Sequence, residues 1–246
     1  MEDFLEKRKI SSIPYKNTSG FHPHGEVVYL KIFLYTVFSW SYKISKHGEQ
    51  GMKVNIILFD DFETLDAFGP AQIFGKLPEY FSINYLSVNG GIVNSTQGVK
   101  VWTEELEPDQ IQDIVVIPGG RGAKKLLYLE KDILALIKKS VEHSSYCMMV
   151  GNGSAIVSQT GCLYHRRIAD YNYDENWKRM FTAGITRIPD VRCLADGKYY
   201  TCSSSMAGME LALGLVSDTV DIDIAERTAQ EVGIAWDSEN ELNMLI

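Results

Sequence analysis

Residues 145–160 read SYCMMVGNGSAIVSQT. Ser145 to Val150 form a short apolar run of strand type, and Ala155-Ile156-Val157 opens a helix-like stretch. Between them lies a tight glycine turn, Gly151-Asn152-Gly153-Ser154. A strand that passes through such a turn into a helix has the layout of a nucleophile elbow. There a strained residue lifts a Ser or Cys above the sheet, beside a helix N-terminus that favours an anion. The residue at this apex is Gly151, which has no side chain. The backbone device is present and the nucleophile is absent.

The surrounding pattern tells what fold carries this turn. Val54–Phe59 is a continuous apolar run of buried-strand type, followed by Asp60-Asp61 and an amphipathic stretch from Thr64 to Phe74. Phe81–Val88 reads as a second strand, and Ile92-Val93 with Val99–Trp102 as a hairpin. Ile114–Ile117 is a further buried strand closed by Pro118-Gly119-Gly120, after which helical periodicity runs through Leu126, Leu127, Ile133, Leu134 and Ile137. Strands alternating with helices predict an α/β fold: a doubly wound, mostly parallel sheet with helices on both faces, of flavodoxin-like type. In such sheets the working cleft lies beyond the strand C-termini. The turns after Phe59, Ile117 and Val150 are therefore expected to converge on one site.

Composition narrows the function classes. The chain has 246 residues, 45% hydrophobic and 23% charged, enough for one α/β domain with a substantial core. Net charge is −8; residues 1–51 carry seven Lys/Arg against five Asp/Glu, which leaves −10 for residues 52–246. An acidic body argues against nucleic acid or an anionic membrane as partner, because both attract cationic surfaces. Cys147, Cys162, Cys193 and Cys202 contain no C-x-x-C pair and no close His partner, so reduced, mostly buried thiols are expected, with no metal and no cofactor. With no secretion signal evident, the expected location is cytoplasmic. Residues 1–51 differ in character from the rest. Val27 to Trp40 is apolar but interrupted by Lys31 and short of the roughly 20 residues of a membrane span. Two readings of this N-terminal segment stand: a poorly packed, disordered extension, or translated leader upstream of a true start at Met52. The domain proper is expected over residues 52–246.

At the three turns the chain resembles the ThiJ/PfpI superfamily, with its class I glutamine amidotransferase-like fold, and within it the isonitrile hydratase-like branch. Phe62-x-x-Leu65-Asp66-x-x-Gly69-Pro70 resembles that branch's first-helix motif, and Pro118-Gly119-Gly120 its oxyanion-side turn. Gly161 to Ala169 resembles the stretch after the elbow, and Ser203 to Gly208 the motif that opens the next helix. The resemblance implies a small-molecule ligand and a homodimer. It also implies Asp66 as candidate acid/base, with Gly119, Gly120, Asn152 and Gly153 lining a backbone oxyanion pocket. Relatives place Cys then Thr at the elbow, where this chain has Gly151 and Asn152, so Gly151 reads as a degenerate nucleophile position. Further departures are Asp170, Met206 and Glu210. In the hydratase-like branch a thiolate attacks the isonitrile carbon, and a helix N-terminus supplies the depressed thiol pKa that this needs. That route is closed without sulfur at position 151. Two functions remain: a catalytically impaired binding or regulatory member, and a hydratase or lyase in which Asp66 activates water directly.

Other residues are weaker candidates. Asp66 also suits a capping or hydrogen-bonding role. Cys147 is expected inside its strand and Cys202 as a packing cysteine near the elbow, while His143 and His165 sit in polar, exposed surroundings. Gly151-x-Gly153 lacks the third glycine of a dinucleotide fingerprint, and no Walker-type Lys follows it.

Overall fold

Alternation along the central strands divides the core in two. Val54, Ile56, Ile114, Val116, Met148 and Val150 pack into one hydrophobic cluster. Ile57, Val115, Ile117, Cys147 and Met149 pack into another on the opposite face. Continuous apolar strands of this kind need cover on both sides. The computed structural model describes residues 51–129, 131–236 and 242–245. Its strands are β1 (Met52–Ile57), β2 (Phe81–Ser87), β3 (Gly91–Asn94), β4 (Lys100–Glu105), β5 (Ile114–Ile117), β6 (Tyr146–Val150), β7 (Arg167–Ala169), β8 (Thr186–Ile188), β9 (Cys193–Asp196), β10 (Tyr199–Cys202) and β11 (Leu242–Leu245). Its helices are α1 (Thr64–Phe74), α2 (Gly122–Leu129), α3 (Lys131–His143), α4 (Gly153–Gln159), α5 (Glu175–Phe181), α6 (Ala207–Thr219) and α7 (Ile222–Val232).

Nine strands form one sheet in the order β11-β9-β10-β6-β5-β1-β2-β4-β3. The central pairings β2–β1–β5–β6–β10 are all parallel, and β3–β4 and β9–β10 are antiparallel. Ala67, Ala71 and Phe74 of α1, Leu211 and Leu215 of α6, and Ala225 and Ala229 of α7 cover the first face. Leu126 of α2, Ile137 and Val141 of α3, Ile156 of α4, and Trp177 and Phe181 of α5 cover the second. Each fully buried Ile, Leu or Met side chain contributes about 1.5–3 kcal/mol relative to exposure. The doubly wound α/β architecture is thus the one the strand and helix pattern predicts.

Some boundaries differ from the sequence reading. The single helical period around Leu126–Ile137 is two helices, α2 and α3. The antiparallel β9–β10 hairpin, turning at Gly197-Lys198, lies beyond the strands that the apolar runs predict. β7 and β8 form a separate two-stranded sheet. The expectations for the N-terminal segment lie outside the described residues, Gly51 excepted. Among the described residues no helix is long and apolar enough to cross a membrane.

Candidate functional site

β1 and its successor β2 lie on one side of the winding and β5 on the other, so a crevice opens beyond the C-terminal ends of β1 and β5. The segments leaving β1, β5, β6 and β10 meet there. Phe62 bridges to both Ser95 and Gly120, which pins the start of α1 against the turn that follows β5.

All four backbone polar groups of Gly119 and Gly120 are engaged. The Gly119 amide donates to Asp66 Oδ2 at 2.9 Å. Its carbonyl accepts from the Glu63 amide at 2.8 Å. The Gly120 amide donates to Asn152 Oδ1 at 2.8 Å, and its carbonyl accepts from Asn152 Nδ2 at 3.1 Å. Asn152 precedes α4 without capping it, its side chain reaching across to the turn instead. Gly119 is required here, because a Cβ would collide with Asn152 Oδ1 and stand 2.8 Å from Asp66 Oδ2.

Asp66 lies in the first turn of α1 and is only 3% exposed. Burial raises its pKa from the ordinary 3.8 to about 6; the Ser205 hydroxyl and the Gly119 amide pull it down, and Glu63 pushes it up. Ser205 is close enough to stabilise the carboxylate without closing a hydrogen bond to Oδ1, which is buried and has no partner.

Gly151 sits at the strand-to-helix turn with φ +53°, a left-handed conformation that favours glycine. Its amide donates to the Cys202 carbonyl at 3.2 Å, which joins the elbow to the end of β10. A Cβ on Gly151 would lie 3.6 Å from Asp66 Oδ2 and meet no other neighbour within 4 Å. The apex therefore has room for a side chain and faces the buried acid. Gly153 opens α4 and is buried.

The structure thus brings together Asp66, Gly119, Gly120, Gly151, Asn152 and Gly153. It adds Ser205, which belonged to a recognised motif but carried no isolated signal. Cys202 is adjacent but 1% exposed; burial pushes its thiol pKa well up, and Asp66 pushes it further. Cys147 is likewise buried, with its pKa pushed up by burial, and all four cysteines are free thiols. His143 binds the Pro108 carbonyl from the exposed end of α3, and His165 is exposed. Asp170 serves an ion cluster with Lys178 at 2.9 Å and Arg187 at 3.2 Å, and Glu210 pairs with Arg192. Among the described residues no group of three or more His, Cys, Asp or Glu could hold a metal ion. A cavity of about 270 Å³ beyond β1 and β2, lined among others by Asp60, Asn89, Leu126 and Ile137, contains none of the elbow residues.

The DJ-1/PfpI family pattern matches residues 52–218, which takes in every one of these turns. The chain belongs to the DJ-1/PfpI family. Isonitrile hydratase of Pseudomonas putida is 25% identical over 179 residues, 71% of this chain and 75% of that protein. Among solved structures, a ThiJ/PfpI family protein from Pseudomonas syringae superposes with a TM-score of 0.65 at 20% identity, covering 76% of each chain. Drosophila melanogaster DJ-1beta superposes at 0.66 with 16% identity, covering 76% of this chain and all of that one. For this DJ-1/PfpI member, those two likenesses establish the fold.

Proposed function

We propose that this DJ-1/PfpI protein is a small-molecule-binding member without covalent catalysis, in which Gly151 occupies the position of the family's nucleophilic cysteine. One observation carries the reading. The apex has no side chain, and the Gly119 and Gly120 amides, two of the four expected to line an oxyanion pocket, already donate to Asp66 and Asn152. An oxyanion hole acts through donors free to meet the charge that develops in the transition state. Loss of a covalent nucleophile costs several orders of magnitude in rate.

The isonitrile hydratase likeness names the assay. Hydration of an alkyl isonitrile to the N-substituted formamide is compared for wild type, Gly151→Cys and Asp66→Ala. Wild type is expected to be silent, and Gly151→Cys to gain partial turnover, because the apex has room for the thiol. The gain stays partial because Asn152 still occupies the Gly120 amide.

A second reading, direct activation of water by Asp66, is favoured by a pKa raised to about 6 and by Oδ2, which lies 3.6 Å from where a Cβ on Gly151 would stand. Its signature is wild-type turnover that survives thiol alkylation and disappears in Asp66→Ala.

A further inference from the structure

Two of the four cysteines stand opposite each other on β9 and β10. In the antiparallel register Cys193 pairs with Cys202, Leu194 with Thr201, Ala195 with Tyr200 and Asp196 with Tyr199. Directly opposed residues share a face, and both thiols belong to the cluster covered by α1, α6 and α7, at 0% and 1% exposure. Just beyond them the Ser203 amide donates to the Arg192 carbonyl at 2.9 Å. Hydrogen-bonded and non-hydrogen-bonded pairs alternate along such a ladder, so Arg192–Ser203 is of the first kind and Cys193–Cys202 of the second. Pairs of the second kind bring their Cα atoms to about 4.5 Å, inside the roughly 4.4–6.8 Å that a disulfide spans. Opposed Cβ atoms stand about 4.5 Å apart or somewhat more, against a disulfide mean of about 3.8 Å. Closing the bond therefore stores strain, and strained disulfides are the readily reduced ones. Cys147 has no thiol opposite it, being flanked by Tyr199 and Val115, and it faces the other cluster.

The pair adjoins the buried acid. Cys202 ends β10, its carbonyl accepts the Gly151 amide, and its thiol meets the Ser204 carbonyl at 3.5 Å. The Cys193 thiol meets the Ala207 carbonyl at 3.4 Å. These two contacts bracket Ser205, whose hydroxyl bears on Asp66. We propose that Cys193 and Cys202 are a redox modification site that closes reversibly to a cross-strand disulfide, and that closure releases the Ser205 loop from both thiols. The inference stands whether Asp66 lines a binding recess or activates water. The oxidant that suits so enclosed a pair is a small peroxide. Hydrogen peroxide takes one thiol to a sulfenic acid and leaves as water. The opposite thiol then attacks that sulfur, the S–S bond forms, and the hydroxyl departs with the thiol's proton as a second water. Two electrons pass from the sulfur pair to the broken O–O bond. Burial, and next the charge of Asp66, push the Cys202 thiol pKa up, which keeps the first step slow.

The test begins by blocking Cys162 with N-ethylmaleimide in the native full-length protein. Hydrogen peroxide treatment, unfolding, alkylation and digestion follow. Trypsin cuts after Arg192 and Lys198, so the two cysteines leave on separate peptides unless a disulfide joins them. The expected result is that joined pair, parted again by dithiothreitol, with the thiols counted after unfolding falling from three to one. In NMR spectra the Gly119 and Ser205 amide signals should move on oxidation and return on reduction. Unlinked peptides with both thiols intact or carried on to sulfinic acid would show a pair that only packs, and would overturn the proposal. A linkage through Cys147, or a Cys193–Cys202 bond that leaves Gly119 and Ser205 unmoved, would overturn it as well. The mapping uses the wild-type chain, so no substituted variant has to fold.

Discussion

Replacing Asp66 with Asn should change how stability depends on pH, and the size of the change follows from burial. Asp66 is 3% exposed and titrates near 6 in place of 3.8. An acid that holds its proton more tightly in the folded protein than in the unfolded chain contributes stability that is fully present below pH 3.8. That contribution is lost as pH rises through about 6. The whole shift corresponds to about 3 kcal/mol, of which about 2 kcal/mol falls between about pH 4 and pH 7.5. Asparagine keeps the shape and an oxygen for the Gly119 amide but does not titrate. Urea unfolding of wild type and Asp66→Asn at both pH values gives a double difference from which the other titrating groups cancel. Wild type should lose about 2 kcal/mol relative to the variant on going from the acidic to the neutral condition. Parallel curves, agreeing within about 0.7 kcal/mol, or a change of opposite sign, would refute the assignment of Asp66 as a buried acid with an unmet acceptor.

Asn152→Ala removes two hydrogen bonds to Gly120 and should cost about 2–3 kcal/mol in urea unfolding. A loss below about 0.5 kcal/mol would mean that the turn does not depend on this clasp. Lys178→Met removes a 4% exposed ammonium that holds Asp170 and Glu175, and should cost about 3 kcal/mol. That is a fall in Tm of roughly 6–12 °C, and a change under about 2 °C would contradict it. A water-soluble disulfide reagent should titrate one thiol, half-buried Cys162, in the native protein and the remaining three only after unfolding. Rapid native labelling of Cys202 would contradict its burial.

Much of this fold was legible because the central strands are buried on both faces. Ile114–Ile117 and Tyr146–Val150 are unbroken apolar runs and Val54–Ile57 is interrupted only by Asn55, and a run that does not alternate belongs inside a covered parallel sheet. The convergence of three turns then followed from the winding. Helical periodicity was a poorer guide to boundaries, since the same hydrophobic spacing continues across the junction of α2 and α3. The β9–β10 hairpin carries a weak local signal in Asp196-Gly197 between apolar runs, where Gly197 takes φ +62°. The site's polarity was not legible at all. It depends on contacts spanning 53 residues from Asp66 to Gly119 and 32 from Gly120 to Asn152, and no local pattern encodes them.

Those long-range contacts alter what a glycine elbow means. With free turn amides, an apex lacking its nucleophile would still attract anions. Here the Asn152 side chain takes the Gly120 amide and the Asp66 carboxylate the Gly119 amide, so the turn after β5 offers neither to an anion. Holding that carboxylate ionised at neutral pH works against folding by about 3 kcal/mol, a large share of the usual 5–15 kcal/mol net stability. Asparagine would make the same contact with Gly119 without that cost. A buried acid whose pKa is displaced by desolvation, beside an open recess and without a counter-charge, has the physical character of a functional group rather than a packing one. What distinguishes the two functional readings is whether that acid activates water or only lines a binding recess.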